Sequence, residues 1–95
     1  MHVITHARVV AAQARFPESS RALDFWYRAM KRGRFATFVE LRATFGSVDK
    51  VGTLFVFNIG GNKYRLMTRI RYDYQLINIR AVLTHAEYDR GRWKE

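Results

Sequence analysis

The chain contains no cysteine, which excludes a disulfide framework and any thiolate metal site. It has one proline, Pro17, and six glycines, too few for a flexible linker or a low-complexity segment. No apolar run approaches the roughly 18 residues of a membrane-spanning helix. The N-terminus lacks the apolar stretch of a secretory signal, so a cytoplasmic address without a membrane partner is expected. The three histidines, His2, His6 and His85, have no metal-ligand spacing. No G-x-G-x-x-G, Walker A or G-x-S-x-G motif occurs, and neither a cofactor nor a metal is expected. Acidic residues are also scarce, eight against seventeen Lys and Arg.

That imbalance gives 17 − 8 = +9, and 13 of the 17 cations are Arg. Residues 1–47 carry +5 and residues 48–95 carry +4, so the excess is not a detachable tail. With 48% hydrophobic and 15% aromatic residues, residues 1–95 are expected to form one packed domain. A compact Arg-rich domain suits a polyanion, because guanidinium grips phosphate in a bidentate fork. Nucleic acid is the leading partner; an acidic protein fits the same surface, and a merely solvated surface is the third reading.

The start, Met1–Ile4, reads as a short edge strand, and Thr5 as the cap of a helix with Ala7, Val10, Ala11 and Ala14 inward. Pro17 ends it. A second helix after Ser19-Ser20 places Leu23, Trp26, Tyr27 and Met30 on one face, with Gly33 as the residue after its end. Thr37-Phe38-Val39-Glu40 has the capping-box pattern and opens a shorter helix with Phe38, Leu41 and Phe45 inward. The period then changes from helical to two. Leu54–Ile59 reads as a strand covered on both faces, and Gly60-Gly61-Asn62 as a hairpin turn. Asn58 and Asn62 are read as turn residues. In the next strand Tyr64, Leu66, Ile70 and Tyr72 alternate with Lys63, Arg65, Arg69 and Arg71. In a last strand, Leu76–Leu83, Ile77, Ile79, Ala81 and Leu83 alternate with Asn78, Arg80 and Val82; the face of Arg80 depends on register. Thr84-His85-Ala86-Glu87 fits a second capping box. The order describes an α+β domain: N-terminal helices on an antiparallel sheet, then a short C-terminal helix.

Two features carry chemistry. Arg65, Arg69 and Arg71 have no acidic residue interleaved on their strand face, and unrelieved repulsion points to a bound phosphate rather than only to a solvated face. On the last helix, His85 lies three residues from Tyr88 and four from Asp89, so all three share one edge. A neutral imidazole there is a usable general base, and Tyr88 a proton donor or stacking surface. The structural alternative packs Tyr88 on the sheet and pairs Asp89 with Arg92. Trp93 either packs back on the domain or stacks on a nucleotide.

Two runs, Val56-Phe57-Asn58-Ile59-Gly60-Gly61-Asn62-Lys63-Tyr64-Arg65-Leu66 and Ile79-Arg80-Ala81-Val82-Leu83-Thr84-His85-Ala86-Glu87-Tyr88-Asp89, resemble the HigB toxin family of the RelE/ParE-like toxins. The opening His2-Val3-Ile4-Thr5 is similar as well, so the likeness spans essentially the whole chain. The resemblance implies a compact RelE-like fold and an mRNA endonuclease, an interferase, that cuts translated messages on the ribosome. It implies a HigA-type helix-turn-helix antitoxin as partner, with operator DNA contacted through the toxin–antitoxin complex. It implies metal-independent attack of an RNA 2′-hydroxyl on the adjacent phosphate. On that basis Lys63, Arg65, Arg80, His85 and Tyr88 are the expected catalytic set. Lys63 or His85 would be the base, with His85 as the acid in the alternative assignment, Arg65 and Arg80 would be the phosphate ligands, and Tyr88 would stack on or orient the nucleotide. Arg69, Arg71 and Lys94, with Asp89 beside His85, are expected to contact RNA. The Arg-rich sheet departs from the Lys-rich site of RelE itself. A ParE-like gyrase inhibitor, a non-catalytic basic nucleic-acid-binding domain and an inactive toxin copy are the alternatives.

Overall fold

The computed structural model describes residues 1–91 and 93. In chain order it contains β1 (His2–Val3), α1 (His6–Arg15), a 3-10 turn (Pro17–Ser19), α2 (Ser20–Arg32), α3 (Phe38–Thr44), β2 (Asp49–Val51), β3 (Leu54–Ile59), β4 (Tyr64–Arg71), β5 (Leu76–Thr84) and α4 (His85–Asp89). The α+β class holds. The strands form one sheet in the order β1-β5-β4-β3-β2. It is mixed rather than antiparallel, because β1 pairs parallel with β5 while every other neighbour is antiparallel. The edge strand β2, not expected from its short charged sequence, carries Lys50.

One face of the sheet packs on the helices. Phe55, Phe57, Ile59, Tyr64, Leu66, Ile77 and Ile79 are buried there against Val9, Leu23, Trp26, Met30, Phe35 and Leu41. Trp26 meets the edge of Phe57 at 5.4 Å, and Phe45 meets it at 5.3 Å, the T-shaped geometry that ring quadrupoles favour. The α2 stripe is therefore core, as its spacing predicts. The α1 face differs by one position: Val9 and Ala12 are buried, whereas Ala7, Val10, Ala11 and Ala14 are exposed. Small apolar residues occupy nearly every side of this helix, so periodicity cannot choose its inward face. Thr37 caps α3 as expected, but Glu40 reaches back to the Ala36 amide rather than to the cap. Gly33 ends α2 with φ −76°, not left-handed. It is needed because a Cβ there would collide with the Phe35 ring.

The opposite face of the sheet carries a second, smaller apolar cluster. Leu54, Val56 and Met67 are buried there under Val51, Ala81, Leu83, Tyr88 and Trp93. The last strand does not keep a single alternation. Met67 faces Ala81 and the next residue, Thr68, faces Ile79, so Arg80 is the extra residue of a β-bulge. The bulge inverts the expected pattern beyond it: Val82 joins the helix-side core, while Ala81 and Leu83 turn to the second cluster.

Candidate active site

Pairing of Tyr64 with Thr84 brings the start of β4 beside the start of α4. The loop joining β3 to β4 is a four-residue turn in which Gly60 and Gly61 have φ of 64° and 68°, a conformation glycine adopts at no steric cost. Lys63 belongs to this turn, not to the strand face. Its carbonyl accepts the His85 amide at 2.9 Å, which clips the turn to α4. Thr84 and Glu87 close the capping box on the other side, with bonds of 3.0 and 3.1 Å.

Arg65 follows the turn and is only 8% exposed. Its Nη1 donates to the carbonyls of Asn62 and Tyr64 at 3.3 and 3.2 Å, and its Nη2 donates to Asn62 Oδ1 at 2.7 Å. All three acceptors are neutral, so the guanidinium is fixed without losing its charge. Its Cζ lies 5.5 Å from the centre of the Tyr88 ring. Burial pushes the Tyr88 hydroxyl pKa up; Asp49 adds to that and Arg65 opposes it. The phenol therefore keeps its proton throughout the neutral range. Asp89 Oδ2 sits 3.0 Å from His85 Nδ1 on the partly exposed edge of α4. A carboxylate on Nδ1 orients the ring and leaves Nε2 directed away from it.

The structure thus gathers Lys63, Arg65, His85, Tyr88 and Asp89 at one end of the β4–β5 pair. Arg80 reaches the same sheet face through the bulge. Two contacts from the start of α1 pin it: Thr5 Oγ1 accepts the Ile79 amide at 2.7 Å, and Arg8 Nη1 donates to the Arg80 carbonyl at 2.6 Å. Thr5 therefore makes no side-chain cap for α1; its hydroxyl is used on β5 instead. Arg69, exposed, lies beyond the bulge opposite Asn78. Arg71 stands at the far end of β4, about 20 Å along the strand from Arg65. It is paired with Asp73 at 2.8 Å and lies over Tyr74 at 4.8 Å. The acidic neighbour missing from the strand comes from the following turn. Lys94 and Arg92 lie outside the described residues.

Sequence reasoning missed the site roles of four residues, Asn58, Asn62, Thr5 and Arg8, whereas Trp93 packs back on the domain as one of its two readings had it. Asn62 holds Arg65, and Asn58 is not a turn residue but faces Arg65 from β3. Thr5 and Arg8 shape the bulge, and Trp93 stacks on Tyr88 with ring centres 4.6 Å apart and donates to the Tyr88 carbonyl at 2.7 Å. Only Trp93 had a signal, an aromatic in a basic segment. Among the described residues no group of three His, Asp or Glu side chains is gathered to hold a metal ion. Among them, too, no helix is long and apolar enough to cross a membrane.

A mixed sheet backed on one face by helices, with a buried arginine and a His–Asp pair gathered at one end of its other face, defines a small, strongly basic α+β protein. The chain belongs to the HigB family, RelE-like toxic components of toxin–antitoxin systems, whose family model matches residues 19–91. It is 34% identical over 92 residues to the mRNA interferase toxin HigB of Escherichia coli K12, covering 94% of this chain and 88% of that relative. The mRNA interferase HigB of Shigella flexneri matches to the same extent. The mRNA interferase HigB of Escherichia coli O6:H1 is 29% identical over 93 residues, covering 95% of this chain and 90% of the relative. The toxic component of such a system has an antitoxin as its partner.

Proposed function

We propose that this protein is an mRNA endonuclease that cuts translated messages on the ribosome and is neutralised by a HigA-type helix-turn-helix antitoxin. The pair would contact operator DNA through the antitoxin, and the toxin would act in the cytoplasm. The observation that carries the reading is the His85–Asp89 pair clipped beside a buried Arg65 that no carboxylate pairs among the described residues, in a chain whose relatives are named mRNA interferases.

Phosphoryl transfer in RNA needs a base for the 2′-hydroxyl, positive charge for the developing phosphorane, and an acid for the leaving oxygen. In the proposed reaction the 2′-oxygen gives its proton to His85 Nε2 and forms a bond to phosphorus. The bond to the 5′-oxygen breaks, and that oxygen takes up a proton, leaving a 2′,3′-cyclic phosphate and a 5′-hydroxyl. Arg65 and Arg80 stabilise the phosphorane. Tyr88, protonated and in contact with Arg65, or Lys63 at the turn, supplies the leaving-group proton. Asp89 holds His85 and does not approach the phosphate, where its charge would repel. Arg69 contacts RNA from the exposed part of β4 and Lys94 is a further RNA contact in the basic C-terminal segment, whereas Arg71, paired with Asp73, contributes little to that attraction.

The test is induced expression in bacteria with primer extension on a translated message and on the same message without its start codon. Cuts that vanish with translation establish the activity. Growth arrest without cuts refutes it.

A further inference from the structure

We infer that helix α1 is the spacer that sets the distance between the two halves of the site, with Arg15 a positioning residue that acts on His85 through Glu87. The inference rests on the endonuclease reading above. The ladder of β1 with β5 runs only through Leu76 and Ile77, and past that register α1 lies along the strand. At the start of α1, Thr5 and Arg8 hold Ile79 and the Arg80 carbonyl. At its end, Arg15 Nη2 donates to Glu87 Oε2 at 3.1 Å. α1 is ten residues long and so rises about 15 Å, close to the roughly 17 Å that β5 covers from Ile79 to Thr84. Its two ends therefore match the span from the Arg80 bulge to the cap of α4.

Glu87 divides its carboxylate between two tasks. Oε1 accepts the Thr84 amide and closes the capping box, while Oε2 takes Arg15. Arg15 is itself aimed by Phe16, whose ring centre lies 4.6 Å from its Cζ, and Phe16 packs on Tyr64 at the start of β4 at 4.9 Å. The helix held in this way, α4, has five residues, far too few to be stable by itself, and it carries both His85 and Asp89. Its direction is set by contacts outside it. Apolar packing at this junction is incomplete: between Arg8 and Arg15 an open groove of about 190 Å³ runs over Ala11, Ala12, Phe16, Ala81 and Val82. The two guanidiniums at the ends of the groove fix the spacing that close packing would otherwise fix. A basic residue in the last turn of a helix also complements the helix dipole, but that role serves stability and predicts no change in the rate of folded enzyme.

The experiment times cleavage of a message on programmed ribosomes with the full chain in excess, giving a maximal rate and a half-saturating concentration. Arg15→Met keeps an aliphatic cover on Phe16 and removes the donor to Glu87. Its maximal rate is expected to fall about 10- to 100-fold, the cost of a small misplacement of a reacting group. Half-saturation should stay nearly unchanged, and so should Tm, since an exposed ion pair adds little stability. Arg15→Lys, which retains a charged donor, should recover most of the rate. Glu87→Gln preserves the acceptor for Thr84 and weakens the tie to Arg15, so Arg15→Met made in that background should cost little more. A wild-type rate in Arg15→Met, a loss confined to half-saturation, a loss that follows a large fall in Tm, or full additivity with Glu87→Gln overturns the positioning role alone. Wild-type protein that cuts no message, on ribosomes or off them, overturns it together with the endonuclease reading.

Discussion

The bulge at Arg80 offers the sharpest test of how this site is built. Replacing Thr5 by Val keeps the shape of the side chain and removes the acceptor of the Ile79 amide, a bond of 2.7 Å. Ile79 is fully buried, so its N–H is left with no evident substitute. A buried donor stripped of its partner costs about 1–3 kcal/mol. Because this bond is only partly buried, the lower half of that range, about 1–2 kcal/mol, applies. For a domain of this size each kcal/mol moves Tm by roughly 4–8 °C, so thermal unfolding followed by circular dichroism should show a fall of roughly 5–15 °C.

The functional consequence separates from the stability loss by arithmetic. A domain stable by about 5–15 kcal/mol that loses about 2 kcal/mol remains more than about 99% folded at the assay temperature. A tenfold or larger fall in RNA cleavage by Thr5→Val therefore reports displacement of Arg80, not unfolding. Thr5→Ser keeps the hydroxyl and should recover both Tm and cleavage. If Thr5→Val melts within about 1 °C of the wild type and cuts equally well, the bulge is held by strand pairing alone and Thr5 has no role in the site.

Arg80→Ala should lower cleavage by about 10²-fold, as loss of one transition-state charge contact does, with little change in Tm; near-wild-type cleavage removes Arg80 from the site. Asp89→Asn is expected to cost at least about 10-fold in cleavage by loosening the His85 ring, while an exposed pair of this kind contributes little to stability. A large Tm loss with cleavage intact would reverse that assignment. Gly33→Ala drives a Cβ into the buried Phe35 ring and should cost roughly 1–3 kcal/mol of overpacking, read from denaturant unfolding; an unchanged midpoint contradicts it. Acid should destabilise the protein through Glu18 and Glu87. The Tyr64 hydroxyl lowers the pKa of the first from its ordinary value, and the Thr84 amide, then Arg15, lower that of the second. Both carboxylates bind protons more readily when unfolded, so their contribution is complete above the ordinary Glu pKa and is lost as pH falls through the native values. Glu18→Gln should flatten that decline in unfolding measured from neutral to acid pH; an equally steep slope in the variant contradicts the assignment.

The legible parts of this molecule were those with a strong local rule. The α2 stripe of Leu23, Trp26 and Met30 alternates large apolar with charged residues, and only one face of such a helix can be buried. The Thr84–Glu87 box and the Gly60-Gly61 turn depend on backbone chemistry within a few residues, and the structure has both. Illegible were features settled by partners distant in sequence. The Arg80 bulge depends on Thr5 and Arg8, 72 or more positions away, and period-two alternation has no term for an inserted residue. Strand β2 is short and charged, and exists because it adds to the edge of β3. Within the candidate site, spacing alone put His85 and Asp89 in reach of each other. It did not show that Arg65 would be buried beneath Tyr88, because that depends on α4 folding back over the sheet.

The way the arginines are held explains how a chain of net charge +9 can orient cations without cancelling them. Away from the site, Arg15, Arg28 and Arg71 are each paired with a carboxylate, Glu87, Asp24 and Asp73. Such pairs relieve repulsion but remove the field a phosphate would meet. At the site the strategy differs. Arg65 is fixed by two backbone carbonyls and one amide oxygen, and the segment around Arg80 by a hydroxyl and a second guanidinium on its own carbonyl. Those bonds restrict geometry while leaving the positive charge whole, the preorganisation that electrostatic stabilisation of a transition state requires. The cost is repulsion stored in the free protein, which a polyanion relieves on binding. An antitoxin that presents carboxylates to this face would relieve it equally well, so in the proposed reading the same cationic surface would serve both attraction to RNA and neutralisation by its partner.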